Sequence, residues 1–556
     1  MSYASVAGHL GDKLRMIHAD LVLAGGRIFC GLKQGFAEAV AIADGKILAT
    51  GSRAEIEALA GEQTRHIDLA GRVAVPGLND AHMHLLMVGI GMNEINLRPE
   101  SGVHSLEEVF TRIRHAIDEK PAGEWIKGGG YDHYELSEQR HPTIEELDAI
   151  APDHPVYITR TCGHVGVANS AAMRLAGISH DTPSPSGGLI EKRNGKLSGL
   201  LAESGMRVVS EKIPPLSRDE LKAAIIRASH FMLSQGFTSV MDAAVGMGYG
   251  LDEIYAYEEL AAAGELPLRT WVCIYGNHDG IGDEAYAQGY RAKRQTGNLR
   301  YGAMKVFSDG SAGGLTAAMS EPYVAGDPNN FGIFCYSEAV MHASLKHYHE
   351  LGYQLAIHAI GDAAIEQVLS GIENADSAEN PILGRRHRIE HCGFLSDGQI
   401  ERMAKAGIDP VPQPMFIYEF GDLYVANLGE ARAHASYPMR KWLDAGLHPA
   451  ASSDAPVTST NPFQNLYTLV TRKTKIGSVI GGDQCLTMEE AVHAYTHLGA
   501  YTQFAENETG QLMAGMSADI AVFSKDIFSC TPEEVKSDVR CDMTVLEGKI
   551  VFERQV

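Results

Sequence analysis

His82 and His84 stand one residue apart in Pro76-Gly-Leu-Asn-Asp-Ala-His-Met-His84. On a strand, residues i and i+2 point to the same side, so both imidazoles can face one point. By itself an H-x-H pair among 24 histidines signals little, because chance and surface polarity produce it too. Four further residues lie on or at the ends of short apolar runs. They are Lys305 in Met304-Lys-Val-Phe-Ser-Asp-Gly310, His358 in Ala356-Ile-His-Ala-Ile-Gly-Asp362, His391 in Arg388-Ile-Glu-His391 and Asp454 in Ala451-Ser-Ser-Asp-Ala-Pro456. Singly, each has an ordinary reading: a hydrogen-bonded core histidine, a turn or cap aspartate, a snorkelling lysine. Jointly they read as a metal centre, since neutral imidazole and carboxylate suit Zn2+ and similar divalent ions. Such an ion lowers the pKa of its water toward ~7 and supplies hydroxide at neutral pH. A plain ammonium at Lys305 cannot ligate, because it offers donors and no acceptor.

These residues need a scaffold that brings six distant points together. Short apolar runs ending in polar residues occur at 73–82, 238–242, 268–275, 304–308, 354–358, 387–391, 408–413 and 449–454. Helical stretches separate most of them; Ile365, Val368, Leu369 and Ile372 follow the i, i+3, i+4, i+7 rule. Eight strands with intervening helices predict an α/β fold, a (β/α)8 TIM-type barrel over residues 76–507 whose chemistry gathers at the strand C-terminal ends. The long gap at about 90–235 carries Gly128-Gly129-Gly130, a strand at 156–160 and Gly187-Gly188. It predicts an inserted subdomain after strand 1, lying over the barrel mouth. Both chain ends are strand-rich, with a hairpin signal at Asp44-Gly45, and neither can bury two faces alone. Residues 1–75 and 508–556 are therefore expected to close one composite β-sandwich.

Composition narrows the partners. The 556 residues hold 47 Lys or Arg against 70 Asp or Glu, a formal net charge of −23. That excess argues against nucleic acid or an anionic membrane as the main partner. With 45% hydrophobic and 21% charged residues the chain can bury a large core, which excludes disorder as a description of the whole. No apolar run approaches the ~20 residues of a membrane span. Residues 1–11 do not read as a signal peptide. Eight scattered cysteines without a C-x-x-C pair point to a reducing cytoplasm rather than a disulfide scaffold.

In order, these motifs resemble the amidohydrolase superfamily: H-x-H on strand 1, Lys on 4, His on 5 and 6, Asp on 8. The wording around them resembles the N-substituted formamide deformylase-like (YtcJ-like) branch. Lys305-Val-Phe-Ser-Asp-Gly-Ser311, Ser453-Asp-Ala-Pro456, Gly163-His-Val-Gly-Val-Ala-Asn169 and Gly187-Gly-Leu-Ile190 are similar to that branch as well, and the likeness runs from about residue 18 to the end. The resemblance implies one or two divalent ions. In two-metal members the lysine is carboxylated, so Lys305 would be an N6-carboxylysine bridging both. His82, His84 and Asp454 would then hold one ion, and His358 and His391 the other. Asp454 would take a proton from the hydroxide and pass it to the leaving amine. The sequence leaves open one metal or two, and whether Lys305 is modified.

For substrate contacts the sequence offers Tyr131, His164 from the Gly-His motif, and Asp309 just past Lys305. A packed tyrosine, a loop histidine and an Asp-Gly turn are their plain alternatives. By strand alternation Glu390 should point away from the site, and Cys392 reads as a buried thiol. The expected activity is metal-dependent hydrolysis of a carbon–nitrogen bond other than a peptide bond, in an amide, formamide or cyclic amide of a small molecule. One alternative keeps fold and metal but cleaves an ester or runs a non-hydrolytic reaction. The other is a non-catalytic binding protein, which the filled ligand positions disfavour. Acidic barrels of this kind commonly pair, so a homodimer is expected. Lys305 lies in an apolar run where an unpaired ammonium is costly to bury, and carboxylation converts that misfit into an anion. Lys305→Ala should therefore lose at least one metal and most activity, with acetate restoring part. An unmodified Lys305 in metal-loaded, active protein would contradict the bridge.

Overall fold

Aliphatic runs such as Val240-Met241 and Ile357 are too apolar for a surface, and they form the strands of a barrel. In the computed structural model, which describes residues 18–160, 165–185, 188–278 and 280–555, seven parallel strands lie side by side. Their spatial order is Asp409–Val411, Arg388–His391, Gln354–Ala359, Leu299–Phe307, Arg269–Tyr275, Phe237–Val245 and Leu78–Met83. Every neighbouring pair is parallel. Helices cover the outside; Asp362–Ala375 buries Ile365, Val368, Leu369 and Ile372, the stripe its periodicity predicts.

The expected eighth strand is not regular. Residues 449–454 run beside the first strand, with Asp454 N–H donating to the His82 carbonyl at 2.8 Å. Yet Ser453 N–H goes instead to the Asp80 carboxylate at 3.0 Å. On the other side the seventh strand reads Asp409-Pro-Val-Pro-Gln-Pro414. Asp409 N–H pairs back to the His387 carbonyl at 3.0 Å, so the next N–H positions along should face the gap, and they are prolines. With no donors there a ladder cannot form. Side chains bridge instead: Ser452 Oγ donates to the Pro412 carbonyl and receives Gln413 Nε2. The barrel is nearly closed rather than fully laddered.

Strands from both chain ends share one eight-stranded sheet. Ile520–Phe523 lies antiparallel to Val73–Pro76, and Cys541–Leu546 and Lys549–Glu553 extend that edge. On the other side follow Ala19–Gly31, Gly35–Ala43 and Lys46–Gly51, with Ala60–Asp68 also on Ala19–Gly31. Leu23, Ile28, Val40, Ile42, Ile520, Val522 and Val545 fill its core. Gly77 alone separates Val73–Pro76 from the first barrel strand, and it donates to the Asp519 carbonyl at 2.8 Å. A Cβ there would come within 2.2 Å of Thr238, so only glycine lets the two strands approach.

By contacts the chain divides into Met1–Leu86 with Ile225–Val556, and Met87–Ala224. The second unit has its own six-stranded sheet, from Gly188–Arg193 at one edge to Ile95–Asn96 at the other. Its core gathers Leu97, Val109, Ile113, Ile126, Leu147 and Ile158. Among the described residues no helix is long and apolar enough to cross a membrane.

Beneath the fifth and sixth strands lies a buried histidine pair. Leu355 N–H donates to His387 Nδ1 at 3.0 Å, so His387 carries its proton on Nε2 and donates to His349 Nδ1 at 2.9 Å. Burial first, then the neighbouring His349 and Arg385, hold His387 well below its ordinary value of 6.5. Below pH 6.5 the unfolded chain binds a proton that the folded chain refuses, so stability falls as pH drops. The slope from one such group is at most about 1.4 kcal/mol per pH unit. His387→Gln should make the loss of stability between about pH 6.5 and 5 shallower in denaturant titrations. An unchanged slope would contradict a neutral buried His387.

Candidate metal centre

The first barrel strand ends at His82 and His84, and Asp454 lies against both. One oxygen of Asp454 stands 3.3 Å from His82 Nε2 and 3.2 Å from His84 Nε2. The other imidazole nitrogens are engaged: His82 Nδ1 with Glu390, and His84 Nδ1 with the Ala243 carbonyl at 2.8 Å. A carboxylate and a carbonyl only accept, so each Nδ1 carries a proton and each Nε2 is left as the free nitrogen. Two lone pairs and an anionic oxygen so close repel one another unless a positive charge lies between. A divalent cation fits this set, whose ligand atoms all lie within 4.8 Å of one another. A proton can substitute: burial works against it, but the Asp454 carboxylate lifts His84 above its ordinary value. Burial likewise opposes, and His82 and His84 overcome it, in holding the Asp454 carboxyl well below the usual range.

His391 shows the same logic. Its Nδ1 donates to Gln413 Oε1 at 2.6 Å, while the Gln413 amide is fixed by the Val411 carbonyl and Ser452. The ring stacks on Phe416 and stands 5.1 Å from the His82 ring and 4.4 Å from that of His358. His358 is reversed: its Nε2 donates to the Gly310 carbonyl at 2.9 Å, which leaves Nδ1 as the lone-pair nitrogen. Lys305 is fully buried, with Nζ 3.4 Å from His82 Nε2 and over the Phe307 ring. Burial pulls its ammonium below the usual lysine value, with Glu390 and Asp454 offsetting part. The structure thus sets His82, His84 and Asp454 as the compact group, with Lys305 and His391 against His82 and His358 against His391.

Asp309 is 3% exposed, and its oxygens accept from the N–H groups of Ala318, Ile360 and Gly361. It braces the loops around His358, at 3.3 Å from His358 Nε2. Tyr131, in the other unit, is fully buried in a hydrophobic core with its hydroxyl on His141 Nδ1 at 2.9 Å. His164 lies outside the described residues. Cys392 is buried, and burial pushes its thiol up.

Glu390 does not point away. Strand alternation assumed a regular strand through His391, but His391 (φ 67°) and Cys392 (φ 53°) are left-handed. That turn brings the strand-end histidine inward while Glu390 already faces the barrel interior. Burial opposes it, yet Arg388 and then His82 hold the Glu390 carboxyl far below the usual range. The available signal was two opposite charges, Arg388 and Glu390, two apart in a strand expected to be buried; such charges pair. Asp454 is left-handed as well, at φ 55°. Non-glycine residues held there collect at functional sites.

The sequence matches the amidohydrolase family over residues 65–552. YtcJ of Bacillus subtilis (strain 168) is 31% identical over 546 residues, spanning 95% of this chain and 99% of its own. An N-substituted formamide deformylase of Arthrobacter pascens is 30% identical over 535 residues, spanning 93% of this chain and 95% of its own. Among solved structures, an uncharacterized metal-dependent hydrolase from Pyrococcus furiosus aligns with a TM-score of 0.75 at 28% identity, covering 92% of this chain and 100% of that one. Purified protein should carry one or two equivalents of a divalent ion by elemental analysis, and chelation should abolish turnover until zinc, manganese or cobalt is restored. His84→Ala and Asp454→Ala should each lose tight binding. Full activity in metal-free protein would contradict the centre.

Proposed function

Because the chain belongs to the amidohydrolase family, it is a hydrolase, and we propose that the bond it cleaves is the C–N bond of an amide, formamide or cyclic amide in a small molecule. The observation that carries this reading is the convergence of two imidazole Nε2 atoms on one oxygen of Asp454. The deformylase relative supports the choice of a C–N bond. Imidazole and carboxylate donors favour zinc. When bound, such an ion supplies a water whose pKa falls toward ~7.

The chain's own residues do the rest. His82 and His84 present unprotonated Nε2 atoms because their Nδ1 protons are held elsewhere. Asp454 acts as the base: its carboxylate takes a proton from the attacking water and delivers it to the departing amine. His358 through Nδ1 and His391 through Nε2 would hold a second ion. Lys305, whose ammonium burial disfavours, would then be the residue to react as neutral amine with CO2, releasing a proton and becoming an N6-carboxylysine that could serve as an anionic ligand. The same reading takes residues 1–75 with 508–556 as a composite β-sandwich and about 90–235 as an inserted subdomain of the barrel. It also takes a cytoplasmic location, a small-molecule substrate, no nucleic-acid or membrane partner, and pairing of two copies.

Turnover of N-substituted amides, carbamates and lactams by metal-reconstituted protein tests the bond. Cleavage of matched esters with no C–N substrate turned over would overturn it. Asp454→Asn keeps the shape and one ligating oxygen but loses the base. Metal should stay at least partly bound while kcat falls about 10²–10⁴-fold. An unchanged kcat at saturating metal would remove Asp454 from proton transfer.

A further inference from the structure

Arg388 and Glu390 are both fully buried on the sixth strand. Glu390 accepts from Arg388 through both oxygens, from Nε and, at 2.8 Å, from Nη2. Nη2 also donates to the Ala81 carbonyl at 2.7 Å, and the Glu390 oxygen it meets receives the His82 Nδ1 proton. The pair therefore grips the first strand at two consecutive residues, by the backbone of Ala81 and by the ring of His82. For stability alone, an apolar pair of similar volume often serves as well or better. What the charged pair adds is direction, because an anion on one side of an imidazole decides which nitrogen keeps the lone pair.

We propose that Glu390 is a positioning residue of the metal centre. Backed by Arg388, it keeps the His82 proton on Nδ1 and aims the Nε2 lone pair at the space shared with His84 and Asp454. This rests on the reading of those three residues as metal ligands. The two imidazoles His84 and His391 have uncharged partners on this side, a carbonyl and an amide, while His358 Nε2 stands 3.3 Å from the Asp309 carboxylate. Among His82, His84 and His391, His82 alone has an anion behind it. A carboxylate behind an imidazole raises its donor strength, and loss of such a partner weakens metal affinity about 10–100-fold.

The test is zinc affinity by chelator competition, measured well below the melting temperature, in wild type, Glu390→Gln and the double variant Arg388→Met/Glu390→Gln. The double variant removes the guanidinium that the single change leaves unpaired, so it carries the test if the single variant does not fold. Both should bind zinc about 10–100-fold more weakly than wild type, whatever happens to their melting temperatures. Wild-type affinity in either folded variant would overturn the proposal, since a purely structural role moves melting and leaves affinity alone. Nitrogen NMR of metal-free wild type should find the His82 proton on Nδ1; a proton on Nε2 would overturn it without any variant. If wild type binds no zinc, or His84→Ala binds it unchanged, the ligand reading fails instead, and a retained Nδ1 proton on His82 would show that failure to be separate.

Discussion

The arrangement on which the rest depends is a repulsive one: two unprotonated imidazole nitrogens pressed against a single carboxylate oxygen. Such a cluster is stable only with positive charge at its centre, and its shape decides which charge. A proton satisfies one contact at a time, whereas a divalent ion satisfies all three. Much of the surrounding barrel serves to keep the wrong protons out. Glu390, the Ala243 carbonyl and Gln413 each hold an imidazole proton on the side away from the centre. Because metal and protons compete for the same lone pairs, metal affinity should follow the acidity of the medium.

The candidate residues could be picked out together because the chemistry they could do is carried by residue type at strand ends. His82, His84, Lys305, His358, His391 and Asp454 all lie about the barrel end at which sequence reasoning set them. What escaped depends on backbone direction. Glu390 was misread because alternation cannot anticipate a left-handed residue at His391. The eighth strand was misread because apolar content was counted and hydrogen-bond donors were not, although the prolines at 410, 412 and 414 were in plain view. Tyr131 marks a different limit, since its complete burial in the core of its own unit is announced by no motif. Burial of a whole side chain is a property of packing between elements, and no local pattern reports it.

His391 and Asp454 are held in left-handed backbone at the candidate centre, and the buried His349–His387 pair below is held by ordinary hydrogen bonds. Asp309 tells a related story one strand over. Three backbone N–H groups converge on it, and His358 inherits its orientation from the loops so fixed. Precision at the centre therefore comes from carboxylates that never leave the protein interior.

The single glycine between Val73–Pro76 and the first barrel strand has a consequence for the order of events during synthesis. Val73–Pro76 emerges early, yet its antiparallel partner is Ile520–Phe523. At about 5–20 residues per second, the ribosome takes roughly 20 to 90 seconds to deliver that partner. Until then one edge of the strand leading into His82 has no ladder, and Gly77 lacks the Asp519 carbonyl that receives its N–H. A nascent or prematurely ended chain can thus hold all six candidate residues and still lack the strand that flanks the entry to His82.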